Sequence, residues 1–101
     1  MTDTSVIEKV EVDTKLKEPS LYNVIYMNDD QTSMQFVISS LIRHFDYNED
    51  SSVQKMMEIH ESGSAIVATL PYEIAEQKAS EVMLEARTLN FPLQLKLKED
   101  A

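Results

Sequence analysis

The chain has no cysteine, no tryptophan, one glycine and three prolines in 101 residues. The lack of cysteine rules out disulfides and zinc–thiolate sites and fits a reducing compartment. A single glycine, Gly63, cannot build a phosphate-binding loop, whose backbone must approach an anion at several glycines. It also leaves no strand–glycine–helix elbow to present a nucleophilic serine. No apolar run approaches the roughly 20 residues of a membrane-spanning helix. The first residues, Met1-Thr2-Asp3-Thr4-Ser5, carry neither the basic nor the apolar region of a secretory signal, so a cytoplasmic protein is expected. Basic residues are scarce: nine Lys and Arg stand against eighteen Asp and Glu, a formal net charge of −9. That field repels nucleic acid and anionic membrane, and neither is expected as a partner.

What is present suffices for one small domain. Hydrophobic residues make up 43% of the chain, enough for one modest core. Residues 1–20 are polar with no sustained period, and Pro19 closes them; a flexible tail is expected there, with the folded domain in 21–101. Leu21 to Met27 is rich in β-branched and aromatic residues and reads as a strand. Met34, Val37, Ile38, Leu41, Ile42 and Phe45 recur at helical spacing in a first helix over 33–45, capped by Thr32 with Gln35 in a reciprocal box. Asp50 or Ser51 caps a second helix, with Val53, Met56, Met57 and His60 inward and Gly63 as its left-handed stop. The uncharged run Ala65–Leu70 reads as a well-buried central strand. Pro71 opens a third helix to about Leu89, whose inner face is Ala75, Ala79, Val82, Ala86 and Leu89. Leu93, Leu95 and Leu97 alternate with polar residues in a last strand. The expected fold class is α+β: a three-stranded antiparallel sheet with three helices packed on one face, in the order β-α-α-β-α-β.

Asn28-Asp29-Asp30 falls where the first strand must end and the first helix has yet to begin. Two readings are open for it: a solvated turn, since Asn and Asp are common turn formers, or a rigidly held acceptor cluster that captures a small cation. The two histidines, His44 and His60, show no ligand spacing with each other or with a nearby acid, so no metal site is expected. No catalytic residue and no cofactor are expected either. Met34, Val37, Met56, Ile59 and His60 lie on two helical faces able to line one pocket, with Asn28, Asp30 and His60 at its mouth. Methionine adapts to varied apolar ligands, but at helical spacing it also serves as ordinary core.

Four segments carry a specific resemblance. Met27-Asn28-Asp29-Asp30-Gln31-Thr32-Ser33-Met34-Gln35-Phe36-Val37, Met56-Met57-Glu58-Ile59-His60-Glu61-Ser62-Gly63, Ala75-Glu76-Gln77-Lys78 and Asn90-Phe91-Pro92-Leu93 resemble, in order, the signature of the ClpS family of adaptor proteins. The resemblance spans about 20–99. It implies an adaptor rather than an enzyme, monomeric, that binds proteins whose first residue is bulky and hydrophobic (N-degrons: Leu, Phe, Tyr or Trp). It implies delivery to the ClpAP protease by docking on the N-terminal domain of the ClpA unfoldase. Carried over by position, Asn28, Asp29, Asp30 and His60 hold the free α-amino group. Thr32, Met34, Val37, Met56, Ile59 and Leu93 wall the side-chain pocket. Met34 is the gatekeeper against β-branched residues, and Glu73 and Lys78 contact the unfoldase. The tail is implied to act during delivery.

The sequence departs from the family pattern at five places. Gln31 stands where an aromatic is usual, Ser33 where proline is usual and Ala68 where glycine is usual. Ile59 replaces a common valine. Pro71 replaces a hydroxyl residue that caps the third helix, which bears on the neighbouring Glu73. An α-ammonium offers three donors and one charge, and charge-assisted bonds are the strong ones. His60 accepts such a donor only as the neutral ring, so acid is expected to weaken binding.

Overall fold

The computed structural model describes residues 20–101, so the tail expected over 1–20 lies, but for Ser20, outside them. Three strands and three helices alternate as β1 (Leu21–Met27), α1 (Met34–Phe45), α2 (Glu49–Ser62), β2 (Ser64–Pro71), α3 (Tyr72–Thr88) and β3 (Gln94–Glu99). The sheet order is β2-β1-β3, with both neighbours antiparallel to β1. The α+β class and the element order are those expected.

The centre of the sheet is β1, not the uncharged run that forms β2. Alternation explains the difference: Ala65 and Val67 are buried, while Ile66, between them, is 47% exposed. A short run without charge does not reveal which of its residues face the open side of a sheet. On β1 the buried pair is Val24 and Tyr26, opposite Leu97 and Leu95 of β3. Val24 pairs with Ala68 but Ile25 with Ile66, so Val67 is an extra residue, a β-bulge. Its carbonyl accepts the Tyr47 hydroxyl at 2.7 Å. Tyr26 is fully buried, and its phenol bonds the buried Ser40 hydroxyl at 2.8 Å, while Ser40 donates its own proton to the Val37 carbonyl. The chain Tyr26–Ser40–Val37 thus satisfies each polar atom it buries between β1 and α1.

The helix ends differ in detail from expectation. Ser33, not Thr32, caps α1: its Oγ accepts the Phe36 N–H at 3.1 Å. Thr32 instead gives its hydroxyl to the Asp29 carboxylate, a stronger acceptor than a neutral partner. Asn48 caps α2 in a reciprocal box with Ser51, two to three residues earlier than Asp50 or Ser51. The inward face of α2 is Ser52, Met56 and Ile59, with Val53 40% and Met57 38% exposed and His60 in solvent. Met34 and Ile42 of α1 lie at the margin of the expected stripe and are exposed. On α3, Ala75, Ala79, Val82 and Ala86 are buried as expected. Leu89 is exposed, because the helix stops at Thr88 and Asn90 turns with a positive φ.

Gly63 ends α2 at φ +87°, and its N–H returns to the Ile59 carbonyl at 3.0 Å. A Cβ placed there meets no atom within 4 Å. Gly63→Ala is therefore expected to cost only the left-handed backbone penalty, about 1–2 kcal/mol. Urea unfolding checks this; a stability equal to the parent's would show that the turn relaxes without cost.

Candidate functional site

β1 extends by one hydrogen bond beyond its last strand residue. The Asn28 N–H donates to the Gly63 carbonyl at 2.9 Å, joining the end of β1 to the end of α2. This places Asn28 on the same cavity as His60, three residues before Gly63. From Asn28 the chain turns into α1, and Asp29 shapes that turn. Its Oδ1 accepts the backbone N–H of Gln31 at 2.8 Å and of Thr32 at 2.7 Å, and its Oδ2 accepts the Thr32 hydroxyl at 2.7 Å. Partial burial raises the Asp29 carboxyl. The three hydrogen bonds, led by the Thr32 hydroxyl, and the charge of Arg87 outweigh that and hold it below the ordinary carboxylate range.

These elements enclose a cavity of about 210 Å³ lined by Asn28, Asp29, Asp30, Thr32, Met34, Val37, Met56, Ile59 and His60. Drug-sized ligand pockets run from about 300 Å³, so this one is on the scale of a single side chain. Val37, Met56 and Ile59 are buried wall residues, whereas Met34 is 49% exposed at the rim. Asn28, Asp30 and His60 are exposed and supply acceptors. Asp29 also borders the cavity, but three of its acceptor positions serve its own loop. Nine of the ten residues singled out for the site thus share one cavity. The tenth, Leu93, is 1% exposed and belongs to the core. Like Leu95, it is a member of the hydrophobic core.

Three residues that shape the site escaped sequence reasoning. Gly63 anchors Asn28 through its carbonyl. Ser33 supplies the cap that starts α1 beside the pocket. Arg87 donates to the carbonyls of Phe91 and Leu93, each at 2.9 Å, fixing the loop before β3. The i, i+3 spacing of Asp29 and Thr32 was a readable signal of the loop staple. Ser33 acts locally, as a cap, whereas nothing local announces that the Gly63 carbonyl anchors Asn28 across the fold.

The remaining candidates lie elsewhere. Lys78 gives its ammonium to the His44 carbonyl at 2.8 Å and lies 5.9 Å from the Phe45 ring centroid, closing the C-terminal end of α1. Glu73 is exposed in the first turn of α3. His44 contacts Glu85 at 3.0 Å and Glu81 at 3.7 Å, with Arg43 on Glu85 at 2.8 Å. This cluster ties α1 to α3. Among the described residues, no group of three His, Cys, Asp or Glu side chains is placed to hold a metal, and no helix is long and apolar enough to cross a membrane.

The profile of the family described as "ATP-dependent Clp protease adaptor protein ClpS" matches residues 17–96. The chain belongs to the ClpS family. A ClpS adapter of Campylobacter jejuni strain RM1221 is 44% identical over 100 residues, spanning 99% of this chain and 100% of its own. That of Rhodospirillum centenum is 38% identical over 97 residues, with 96% and 88% covered. The solved structure of Agrobacterium tumefaciens ClpS2 bound to L-phenylalaninamide superposes with a TM-score of 0.80 at 36% identity, covering 82% of this chain and 100% of that one. These relatives are adaptors of a protease rather than proteases.

Asp29 also carries a pH-dependent prediction. A carboxyl held below its unfolded value contributes stability that is complete above about pH 4 and is lost as pH falls through the folded value. Asp29→Asn keeps one acceptor but loses the charge, and is expected to lower stability at pH 7 by about 1 kcal/mol after allowance for exposure. Denaturant midpoints at pH 7 and in acid check this. The gap between variant and parent should shrink in acid, and an equal gap at both would refute the staple.

Proposed function

We propose that this chain binds proteins whose first residue is Leu, Phe, Tyr or Trp and delivers them to the ClpAP protease by docking on the ClpA N-terminal domain. The carrying observation is one cavity with apolar walls and a mouth of three acceptors. L-phenylalaninamide, the ligand of the Agrobacterium relative, has the two features such a site fits: a free α-amino group and a large apolar side chain. In this reading Asn28, Asp30 and His60 accept the α-ammonium, and Asp29 acts mainly by holding their loop. Met34, Val37, Met56, Ile59 and Thr32 surround the side chain, and Leu93 supports them from the core. Residues 21–101 are the binding domain and 1–20 the tether used in delivery.

Discrimination needs both ends of one residue. Burying a Leu- or Phe-sized side chain contributes roughly 1.5–3 kcal/mol. An acetylated N-terminus removes the charge and two donors, leaving acceptors desolvated at a cost of a few kcal/mol. A fluorescent peptide beginning with Phe, compared by anisotropy with its N-acetylated twin, tests this. The free amine is expected to bind at least tenfold more tightly; equal binding, or none by either, would overturn the reading.

For docking, the end of the fold around Glu73 offers an apolar surface. Leu21, Tyr72 and Ile74 there are 44–45% exposed. Pro71 gives α3 no side-chain cap, so N–H groups of its first turn lack that partner. Lys78 is already engaged with α1, which makes Glu73 the principal charged contact. Glu73→Ala should weaken binding to isolated ClpA N-terminal domain severalfold in calorimetry and leave peptide anisotropy unchanged. Undiminished ClpA binding would move the interface elsewhere.

A further inference from the structure

With no cysteine in the chain, methionine is its only sulfur, and the six methionines differ sharply in setting. Met1 lies outside the described residues. Met56 is 7% exposed, and the Met83 sulfur accepts the Leu95 N–H at 3.5 Å. Met27 is half-buried in β1. Only Met34, at 49%, and Met57, at 38%, are exposed among the described methionines. Met34 lines the cavity and Met57 does not. The most accessible thioether therefore stands on the rim of the pocket.

We infer that Met34 is an oxidation-sensitive gate: conversion of its thioether to the sulfoxide closes the pocket to apolar side chains. The inference rests on reading the cavity as the N-degron site. In the reaction the sulfur lone pair attacks one oxygen of a peroxide. The O–O bond breaks, an S–O bond forms, and sulfur is oxidised by two electrons. The transferred oxygen releases its proton to the departing hydroxide, which leaves as water. A flexible apolar side chain becomes a polar, chiral one.

The new oxygen needs donors, and the pocket has few. The Thr32 hydroxyl already gives its proton to Asp29. Val37, Met56 and Ile59 offer none. A Phe side chain entering the cavity strips water from the sulfoxide and replaces it with hydrocarbon, leaving a desolvated dipole. The donors that remain, on Asn28 and His60, lie at the mouth that the α-amino group occupies.

Purified protein is treated with hydrogen peroxide until intact mass shows one or two added oxygens, which are located by peptide mapping. Affinity for the Phe peptide is then read by anisotropy for the parent, Met34→Leu and Met57→Leu. Oxidation at Met34 should weaken binding at least tenfold in the parent and in Met57→Leu, with recovery after methionine sulfoxide reductase. Met34→Leu, whatever its starting affinity, should not change on treatment. Saturating Phe peptide during treatment should protect Met34 and leave Met57 oxidised. Unchanged affinity with Met34 fully oxidised would overturn the inference, as would equal loss in Met34→Leu. An untreated parent that fails to bind the peptide overturns the pocket reading itself, and the gate with it.

Discussion

The hydrogen bond from the Asn28 N–H to the Gly63 carbonyl organises the site. It is the rung at which the sheet, the end of α2 and the loop into α1 meet. Gly63 can offer that carbonyl because it has already turned out of α2 in a left-handed conformation that other residues enter at a cost. His60 belongs to the last turn of α2, and Asn28 is the first residue past β1. The rung continues the β1–β2 ladder, whose last pair is Met27 with Ser64, by one step to the residue that ends α2. The placing of Asn28 and His60 on one cavity is thus set by backbone geometry.

Two adjacent aspartates in the same loop have different surroundings. Asp29 turns inward on its own loop and spends its oxygens on Gln31 and Thr32. Asp30 points to solvent at the cavity and keeps its acceptors free among the described residues. Charge count alone treats them as equivalent. The difference lies in which carboxylate the backbone N–H groups converge upon, and that depends on the turn. The same logic separates the two residues read as docking contacts. Lys78 closes the end of α1, while Glu73 stands clear.

Much of this was legible in the sequence. Element order, the first strand, the inner face of α3 up to Ala86, and the glycine stop of α2 follow from periodicity and from backbone chemistry that only a few residues tolerate. Nine of the ten expected site residues border one cavity. Ala65–Leu70 looked central because composition shows how apolar a strand is, not how many neighbours it has. The start of α2 was placed at Asp50 or Ser51, when Asn48 reaches the free N–H groups first, and Val53, Met57 and His60 were read inward where Ser52, Met56 and Ile59 fill the buried face. Leu89 was counted as core because a periodic pattern does not show where a helix stops. Leu93, assigned to the pocket through the resemblance, is a buried core residue that does not border the cavity. The place of β2 in the sheet is a long-range arrangement that no local signal encodes, whereas the start of α2 is a local choice between neighbouring capping residues.

The strand β2 has a mechanical consequence. It starts beside Gly63, near the cavity, and ends at Pro71, two residues before Glu73 and paired with Leu21. Eight extended residues span about 23 Å at the usual rise. Pocket and α3 origin are therefore the two ends of one extended covalent segment. A pull applied between them acts along a backbone whose one irregularity is the bulge at Val67, stiffened on one flank by β1. Such a segment transmits tension instead of absorbing it by unravelling. Whatever is held at one end stays at a fixed standoff from whatever is held at the other.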